Sequence, residues 1–452
     1  MFRRTGNFAP IETRDNLSIS TILRFWAPLA ATWLMMSIEG PALTAVIARL
    51  AEQKENLAAF GVAFNLGLFI ESPVIMILSA ATALVRDSDS LGKLRRFTYL
   101  LSGAMTLIMA IVALPPIFEP LARDLLNLPD RITQLAQIGT ILLIPWPAAI
   151  GVRRFYQGVL IREGQTKKVA QGTLIRLGGM TGGLFLFWQG FDVAGVVVGT
   201  ASMSIGVTAE AIAARFMVAS SMRRLATIRR EGPPLRYEEI IRFYIPLALT
   251  SMIGLGLLPM ITLALGRGAQ PIESLAIWPV VTSFVFLFRG VGLAWQEAVI
   301  TLVGDRLEQY RPVLRFTLLL AGTTSLLLAL VVITPFDEFW FGAVSDLQPE
   351  LVEFALVPLA IMILLPASSA ILSMQRGVIV AGGRNIHVSI TTAIEVILII
   401  LLLFLFVALL GMVGAVAAAI AVMIGRTVAV GYLSIPFFRV VRRLRGDEKN
   451  VV

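Results

Sequence analysis

Eight ionisable residues sit inside long apolar runs of this sequence: Glu39, Glu71, Arg176, Glu210, Arg289, Glu297, Glu395 and Arg426. A charge at the centre of a bilayer costs on the order of 2.5–3.5 kcal/mol on insertion scales, so one retained there needs a partner, a hydrated cavity or a ligand. The chemistry open to such groups is ion and solute binding. A carboxylate takes a proton, sodium or a cationic group, and a guanidinium takes an anion. Glu71 and Arg289 form the sharpest pair. They carry opposite charge near the middle of their runs, and they hold the same position in the two copies of an internal repeat set out below. They are expected to face each other across a cavity as a gate, ion-coupling site or substrate contact, the alternative being a static salt bridge. Glu39 precedes Gly40-Pro41, where a helix is expected to open, and is read as a cavity carboxylate. Asn65 and Gln296 are polar enough to line the same space, and Glu297 completes the candidate set. Arg176, Glu395 and Arg426 are read as structural partners, Glu210 as reaching water with Arg215, and Arg153, Arg154 and Gln157 as lying at the cytoplasmic end of a span, at least one arginine snorkelling to lipid phosphate.

Other chemistry is poorly provided for. The chain has no cysteine and one histidine, His387, so neither a thiolate site nor a histidine metal cluster is expected. It contains no phosphate-binding G-x-x-x-x-G-K-[ST] loop, no H-E-x-x-H and no G-x-S-x-G. No catalytic residue, metal or cofactor is assigned, and the chain is not read as an enzyme.

These residues must be positioned by membrane helices. Of 452 residues, 57% are hydrophobic and 15% charged, and mean hydropathy is +0.83. A soluble domain carries about 25% charged residues. Runs such as Phe97–Phe118, Phe243–Gly266 and Phe316–Phe336 hold no charge at all, and roughly 20 apolar residues cross the hydrocarbon as a helix. The pattern predicts an all-α polytopic protein with twelve transmembrane helices between residues 22 and 437, the first of them an uncleaved span. Twelve spans put both termini on one side. Of the lysines and arginines outside the spans or at their ends, 29 fall on that side and five on the other: Arg49, Lys54, Arg123, Arg131 and Arg267. The positive-inside rule then places both termini in the cytoplasm of a multi-pass cell-membrane protein, which for a prokaryotic chain is the inner membrane. The same bias accounts for the net charge of +9 without a nucleic-acid partner; the partners expected are membrane lipids and a small-molecule substrate, for a chain that can act as a monomer. Trp26, Trp188, Trp278 and Trp340 are read as an interfacial belt.

The two halves match at one fixed offset, the step from Arg24 to Arg242. Arg24-Phe25, Pro28-Leu29-Ala30, Thr32, Pro41, Thr44, Arg49, Ala51, Glu55 and Leu57-Ala58 all recur, giving 13 identities in 35 ungapped positions. The same step carries Glu71 onto Arg289. Six spans per copy is even, so the copies are related by a pseudo-twofold axis along the membrane normal. The organisation expected is a first lobe over 1–219, a cytoplasmic linker over 220–239, a second lobe over 240–437 and a basic tail over 438–452. Pro28 and Pro41, matched by Pro246 and Pro259, are the hinge candidates.

The run Arg24-Phe25-Trp26-Ala27-Pro28-Leu29 resembles the opening of the progressive ankylosis (ANK) membrane protein family. So does Leu57-Ala58-Ala59-Phe60-Gly61-Val62-Ala63-Phe64-Asn65-Leu66, followed by Phe69 and Pro73; Val357-Pro358-Leu359 with Pro366 resembles a later segment. The resemblance is strong over some 60 amino-terminal residues. It implies membership of the wider superfamily of multidrug and toxin extrusion (MATE) transporters, polysaccharide transporters and lipid-linked sugar flippases. That in turn implies a V-shaped pair of six-helix lobes working by alternating access. ANK relatives imply export of anionic metabolites such as pyrophosphate, nucleotides or citrate; MATE relatives imply proton- or sodium-driven drug efflux. The function expected is therefore a secondary active exporter of a small organic solute, coupled to H+ or Na+. The alternatives are a lipid-linked oligosaccharide flippase and an uncoupled scramblase.

Overall fold

The computed structural model describes residues 17–163, 165–228, 234–304, 307–336, 338–381 and 386–446. Arg3, Arg4, Arg14, Gly232-Pro233 and residues 447–452 lie outside the described residues. The apolar runs fold as long rods. The first lobe holds α1 (Ile19–Ala48), α2 (Gln53–Leu84), α3 (Ser88–Val112), α4 (Asp130–Arg162), α5 (Thr166–Gly190) and α6 (Gly195–Met217). The second holds α7 (Tyr237–Arg267), α8 (Pro271–Leu302), α9 (Tyr310–Ile333), α10 (Pro349–Val380), α11 (Ile386–Leu409) and α12 (Gly414–Gly446). Among the described residues, eleven of these are long and apolar enough to cross a membrane. The remaining rod, α5, is 25 residues long and diluted by Gly178, Gly179, Gly182 and Gly183, of which Gly179 and Gly183 let it lie close along α6. Outward faces are apolar, with Leu100 and Leu107 on α3, Leu318 and Leu326 on α9, and Leu401 and Phe404 on α11 all exposed. A surface of that kind belongs in lipid, and the chain is a multi-pass membrane protein.

The internal repeat is written in the backbone. Left-handed residues open α2 and α8 at Glu52 (φ 51°) and Gln270 (φ 52°), and recur at Asn127 (φ 56°) and Asp346 (φ 52°). Asn56 Oδ1 accepts the Val196 N–H at 2.9 Å at the start of α6. Its equivalent Ser274 Oγ accepts the Ala415 N–H at 3.2 Å at the start of α12. Interruptions also match: α2 breaks at Met76 and α8 at Ala294, which are equivalent positions of the repeat. The break in α4 after Leu142 corresponds to a tightened turn at Met362–Leu364 in α10. Pro73, Pro145 and Pro366 lie at three of these four sites, where a missing N–H weakens the ladder.

Several expectations change. α1 runs unbroken through Gly40-Pro41, whereas α7 is interrupted at Gly256, three residues before Pro259. A Cβ at Gly40 would lie 2.6 Å from Ser283 Cβ, so α1 is pressed flat on α8 where an opening was expected. The side chains of Pro28 and Pro246 lie outside the described residues. The region expected as a linker begins as a helix, Ala219–Thr227, and α12 continues through the start of the expected tail. The tryptophan belt is only partial. Trp278 is buried, Trp340 packs 5.0 Å from Phe284, and Trp26 packs 5.4 Å from Phe316 of the other lobe.

The lobes meet where α1 lies on α8 and α2 lies on α7 and α8. The first half of α1 enters the core of the second lobe through Ile22, Phe25 and Trp26, around Trp295 and Phe316. The equivalent half of α7 enters the core of the first lobe through Ile240 and Tyr244, around Val74, Ile77 and Leu94. Within the first lobe α4 packs tightly on α2: a Cβ on Gly158 would lie 2.7 Å from the Leu78 carbonyl oxygen and 2.6 Å from Ala81 Cβ. Gly158→Val is expected to lower stability by about 1–3 kcal/mol, read as a lower thermal midpoint of the purified protein. Gly322→Ala, where a Cβ meets nothing within 4 Å, is expected to leave the midpoint in place.

Candidate functional site

The buried ionic groups fall into two sets, one inside each lobe. In the first, Arg153 of α4 makes a short ion pair with Glu210 of α6, and Gln157, one turn further along α4, donates to the other Glu210 oxygen at 3.0 Å. Arg176 of α5 donates to Glu39 of α1 at 2.5 Å. Gly172 on α5 stands beside Glu210 Oε1 and leaves room for it. Glu71 of α2 is 3% exposed, and its Oε2 is buried without a hydrogen-bond partner among the described residues. The cations whose fields reach Glu71 are Arg153, Arg154 and Arg176. This set balances: carboxylates at 39, 71 and 210 against guanidiniums at 153, 154 and 176.

The second set joins Arg289 of α8, Arg376 of α10, Glu395 of α11 and Arg426 of α12. Arg426 Nε lies 2.8 Å from Glu395 Oε1, out of hydrogen-bond alignment. Arg376 donates to Thr392 Oγ1 at 3.3 Å. The charges acting on Arg289 are those of Arg426, Glu395 and Arg376. The Nε atoms of all three arginines are buried without a hydrogen-bond partner among the described residues. Here three guanidiniums share one carboxylate.

Two positions of the sets match in the repeat with opposite signs, and the other members have no ionic equivalent there. Glu71 matches Arg289 at the offset of the repeat itself, and Arg176 matches Glu395, as Gln157 matches Arg376, a single position beyond it. No ion pair joins Glu71 to Arg289 among the described residues; each is held in the ionic set of its own lobe. Of the other candidates, Glu39 belongs to the first set. Asn65 donates to Thr262 Oγ1 of α7 at 3.1 Å, bonding the lobes beside a cavity of about 60 Å³ that Pro259 also lines. Gln296 and Glu297 lie beyond the Ala294 break, toward the arginine-rich end; Gln296 is half-buried and Glu297 exposed, and they join neither set.

Sequence reasoning misplaces the members of the first set on α4 and α6. Glu210 is fully buried, Arg153 and Gln157 face it and not lipid, and Arg215 stacks over the Tyr156 ring at 5.9 Å. Arg376 reads in the sequence as one of the loop cations. Its repeat partner Gln157, polar inside an apolar run, is the signal that could have found it.

No family model and no curated protein matches the sequence. Solved structures do match the fold. An inward-facing multidrug resistance MATE family transporter of the MOP superfamily superposes with a TM-score of 0.72 at 15% identity, covering 93% of this chain and 96% of that one. A MOP superfamily transporter from Pyrococcus furiosus Vc1, described by the reverse polarity of its binding pocket, gives 0.65 at 15%, covering 94% and 96%. The lipid II flippase MurJ in an inward closed conformation gives 0.66 at 16%, covering 93% and 90%. The chain therefore has the two-lobe, MATE-like fold of MOP superfamily transporters.

Removing one partner of a buried ion pair leaves the other charge stranded at a cost of about 3–5 kcal/mol, whereas replacing both is often nearly neutral. Arg153→Leu alone is expected to lower the thermal midpoint sharply, and Arg153→Leu with Glu210→Leu to recover most of the loss. Additive losses in the double variant would show that the two residues do not interact.

Proposed function

We propose that this protein is a secondary active transporter that exports a small organic anion by alternating access of its two lobes. The observation that carries this reading is the unequal charge of the two ionic sets. Three guanidiniums sharing one carboxylate in a low-dielectric interior hold positive charge that no other group is seen to neutralise among the described residues, and bound negative charge is its natural complement. Arg289, Arg376 and Arg426 would hold the carboxylate or phosphate oxygens of the cargo. The resemblance of the first two spans to the ANK family supports an anionic cargo over a drug-like cation. Glu71 is the coupling site: it is buried, uncommitted to a single partner and in the other lobe, and it takes H+ or Na+. Ligands move such an equilibrium only by binding its two states unequally, so each lobe's ligand must grip one orientation better.

The direction follows from charge. The arginine-rich end is cytoplasmic by the positive-inside rule, with both termini there. The cargo enters from that end and leaves at the arginine-poor end. Both half-sites belong to one chain, so a monomer in lipid suffices, and no catalytic chemistry is invoked. A second reading has a specific observation behind it. The fold overlays a lipid II flippase, and a lipid-linked diphosphate presents the same anionic chemistry to the arginines.

The test is flux in proteoliposomes loaded with pyrophosphate or citrate, under imposed pH or sodium gradients. Gradient-driven flux is expected, with Glu71→Gln abolishing the dependence on the gradient and Arg289→Gln lowering flux at least ten-fold. Movement of a lipid-linked diphosphate without flux of soluble anions would select the flippase. Gradient-independent lipid movement would select a scramblase, and flux no greater than in protein-free liposomes would overturn the transport reading.

A further inference from the structure

Arg49 and Arg267, matched in the repeat but in neither ionic set, tie the lobes together at the arginine-poor end. Arg49 closes α1, where its Nη1 donates to the Ala45 carbonyl at 2.6 Å. Its Nη2 crosses to the second lobe and donates to the Val344 carbonyl at 2.5 Å, with Ala343 at 3.4 Å. Arg267 closes α7, and its Nη2 crosses the other way to the Asp124 carbonyl at 3.1 Å. The acceptors are themselves equivalent. Asp124 lies in the wide π turn Leu121–Leu125, and Ala343 and Val344 end the wide π turn Glu338–Val344. The last carbonyls of a helical turn have no partner within it, so they are open to an outside donor.

An amide reinforces each arginine. Asn127 Nδ2 donates to the Gly266 carbonyl across the lobes at 3.1 Å. On the opposite side Gln53 Nε2 bridges the Ala48 carbonyl at 2.5 Å and the Asp346 carbonyl of the other lobe at 2.6 Å. Ala48 and Gly266 are repeat equivalents, each one residue before its arginine. Lys54 adds a bond to Glu350 at 3.3 Å. At the arginine-rich end the described ion pairs Lys93–Asp89 and Arg224–Glu163 stay within the first lobe.

We infer that Arg49 and Arg267 form a pseudo-twofold latch that holds the arginine-poor end shut and must release before the lobes open there. The two arginines set the balance between the states and touch no cargo. The inference rests on the alternating-access reading, since a latch has a role only if the lobes move. Hydrogen bonds of this kind, partly screened by water, each bias the closed state by about five-fold. Two of them acting independently give about 25-fold.

The chain has no cysteine, so Ile117→Cys in the first lobe and Phe339→Cys in the second give two label sites at the arginine-poor end without background. Both are exposed. Inter-label distances are measured by pulsed electron spin resonance in lipid nanodiscs, for the otherwise native chain and with Arg49→Ala, Arg267→Ala, both together, and Arg49→Lys. The expected result is a longer-distance population that grows about five-fold with either alanine and further with both, and less with lysine. Size-exclusion profiles and tryptophan fluorescence identify the folded variants, and Arg49→Lys supplies a reading if an alanine variant fails to fold. An unchanged distance distribution in the folded double variant would overturn the latch even where anion flux is intact. A shifted distribution in a protein without flux would uphold the latch and count against the transport reading alone.

Discussion

Charge that leaves water must be neutralised nearby, and this constraint organises the interior of the protein. In the first lobe the charges balance in number, and Glu39 and Glu210 are paired locally while Glu71 is not. Arg153, Gln157 and Glu210 tie α4 to α6, and Arg176 with Glu39 ties α5 to α1. Glycines on α5 make the close approach possible, because a helix that carries a buried charge must also bring its backbone near enough for the partner to reach. In the second lobe the same constraint is met only in part: Glu395 pairs with Arg426, and its single charge is shared with Arg289 and Arg376. Such a lobe gains from a visiting anion, and a balanced lobe does not.

A duplicated fold explains how this asymmetry arose within one architecture. The backbone kept its left-handed residues, its breaks and its helix-start hydrogen bonds in both copies. At two positions, Glu71 with Arg289 and Arg176 with Glu395, both copies carry an ionic group and its sign differs between them. On the proposed function this difference gives the two lobes complementary appetites, a cation for the uncommitted carboxylate of one and an anion for the arginines of the other.

The large features are legible in the sequence because they rest on composition and period. Spans, lobes and the repeat follow from long apolar runs and a fixed offset, and α5 follows from the layout although its glycines lower its hydropathy. The residues that matter at depth are also visible as ionisable groups in apolar runs. Their partners are not. Equal offsets identify positions related by the axis, but a rotation axis does not bring them into contact, so Glu71 and Arg289 match without meeting. Helix rotation and tilt decide which neighbour a side chain reaches, and no spacing within one helix reports them. At least one of Arg153 and Arg154 therefore reads as reaching lipid phosphate, although Arg153 turns onto Glu210. Pro41 reads as an opening because the pressure of Ser283 on Gly40 is a contact between lobes and leaves no local trace.

The rod α1 links the ionic set to the movement of the lobes. Its first half is packed in the second lobe, where Trp26 donates to the Val291 carbonyl at 3.3 Å and packs edge-on against Phe316. Its later part carries Glu39, held by Arg176 of the first lobe at 2.5 Å. An unbroken helix held at both places resists separation of the lobes, since any displacement must bend α1, withdraw Trp26 or stretch Glu39 from Arg176. Its equivalent α7 has relief at Gly256, and α1 is continuous. In the proposed cycle, strain from the rocking lobes falls on the Glu39–Arg176 pair. Loosening that pair would free Arg176, whose field already reaches Glu71, and on the proposed function the affinity of Glu71 for a cation would then change with the position of the lobes. That is the unequal affinity between states which an ion-driven cycle requires.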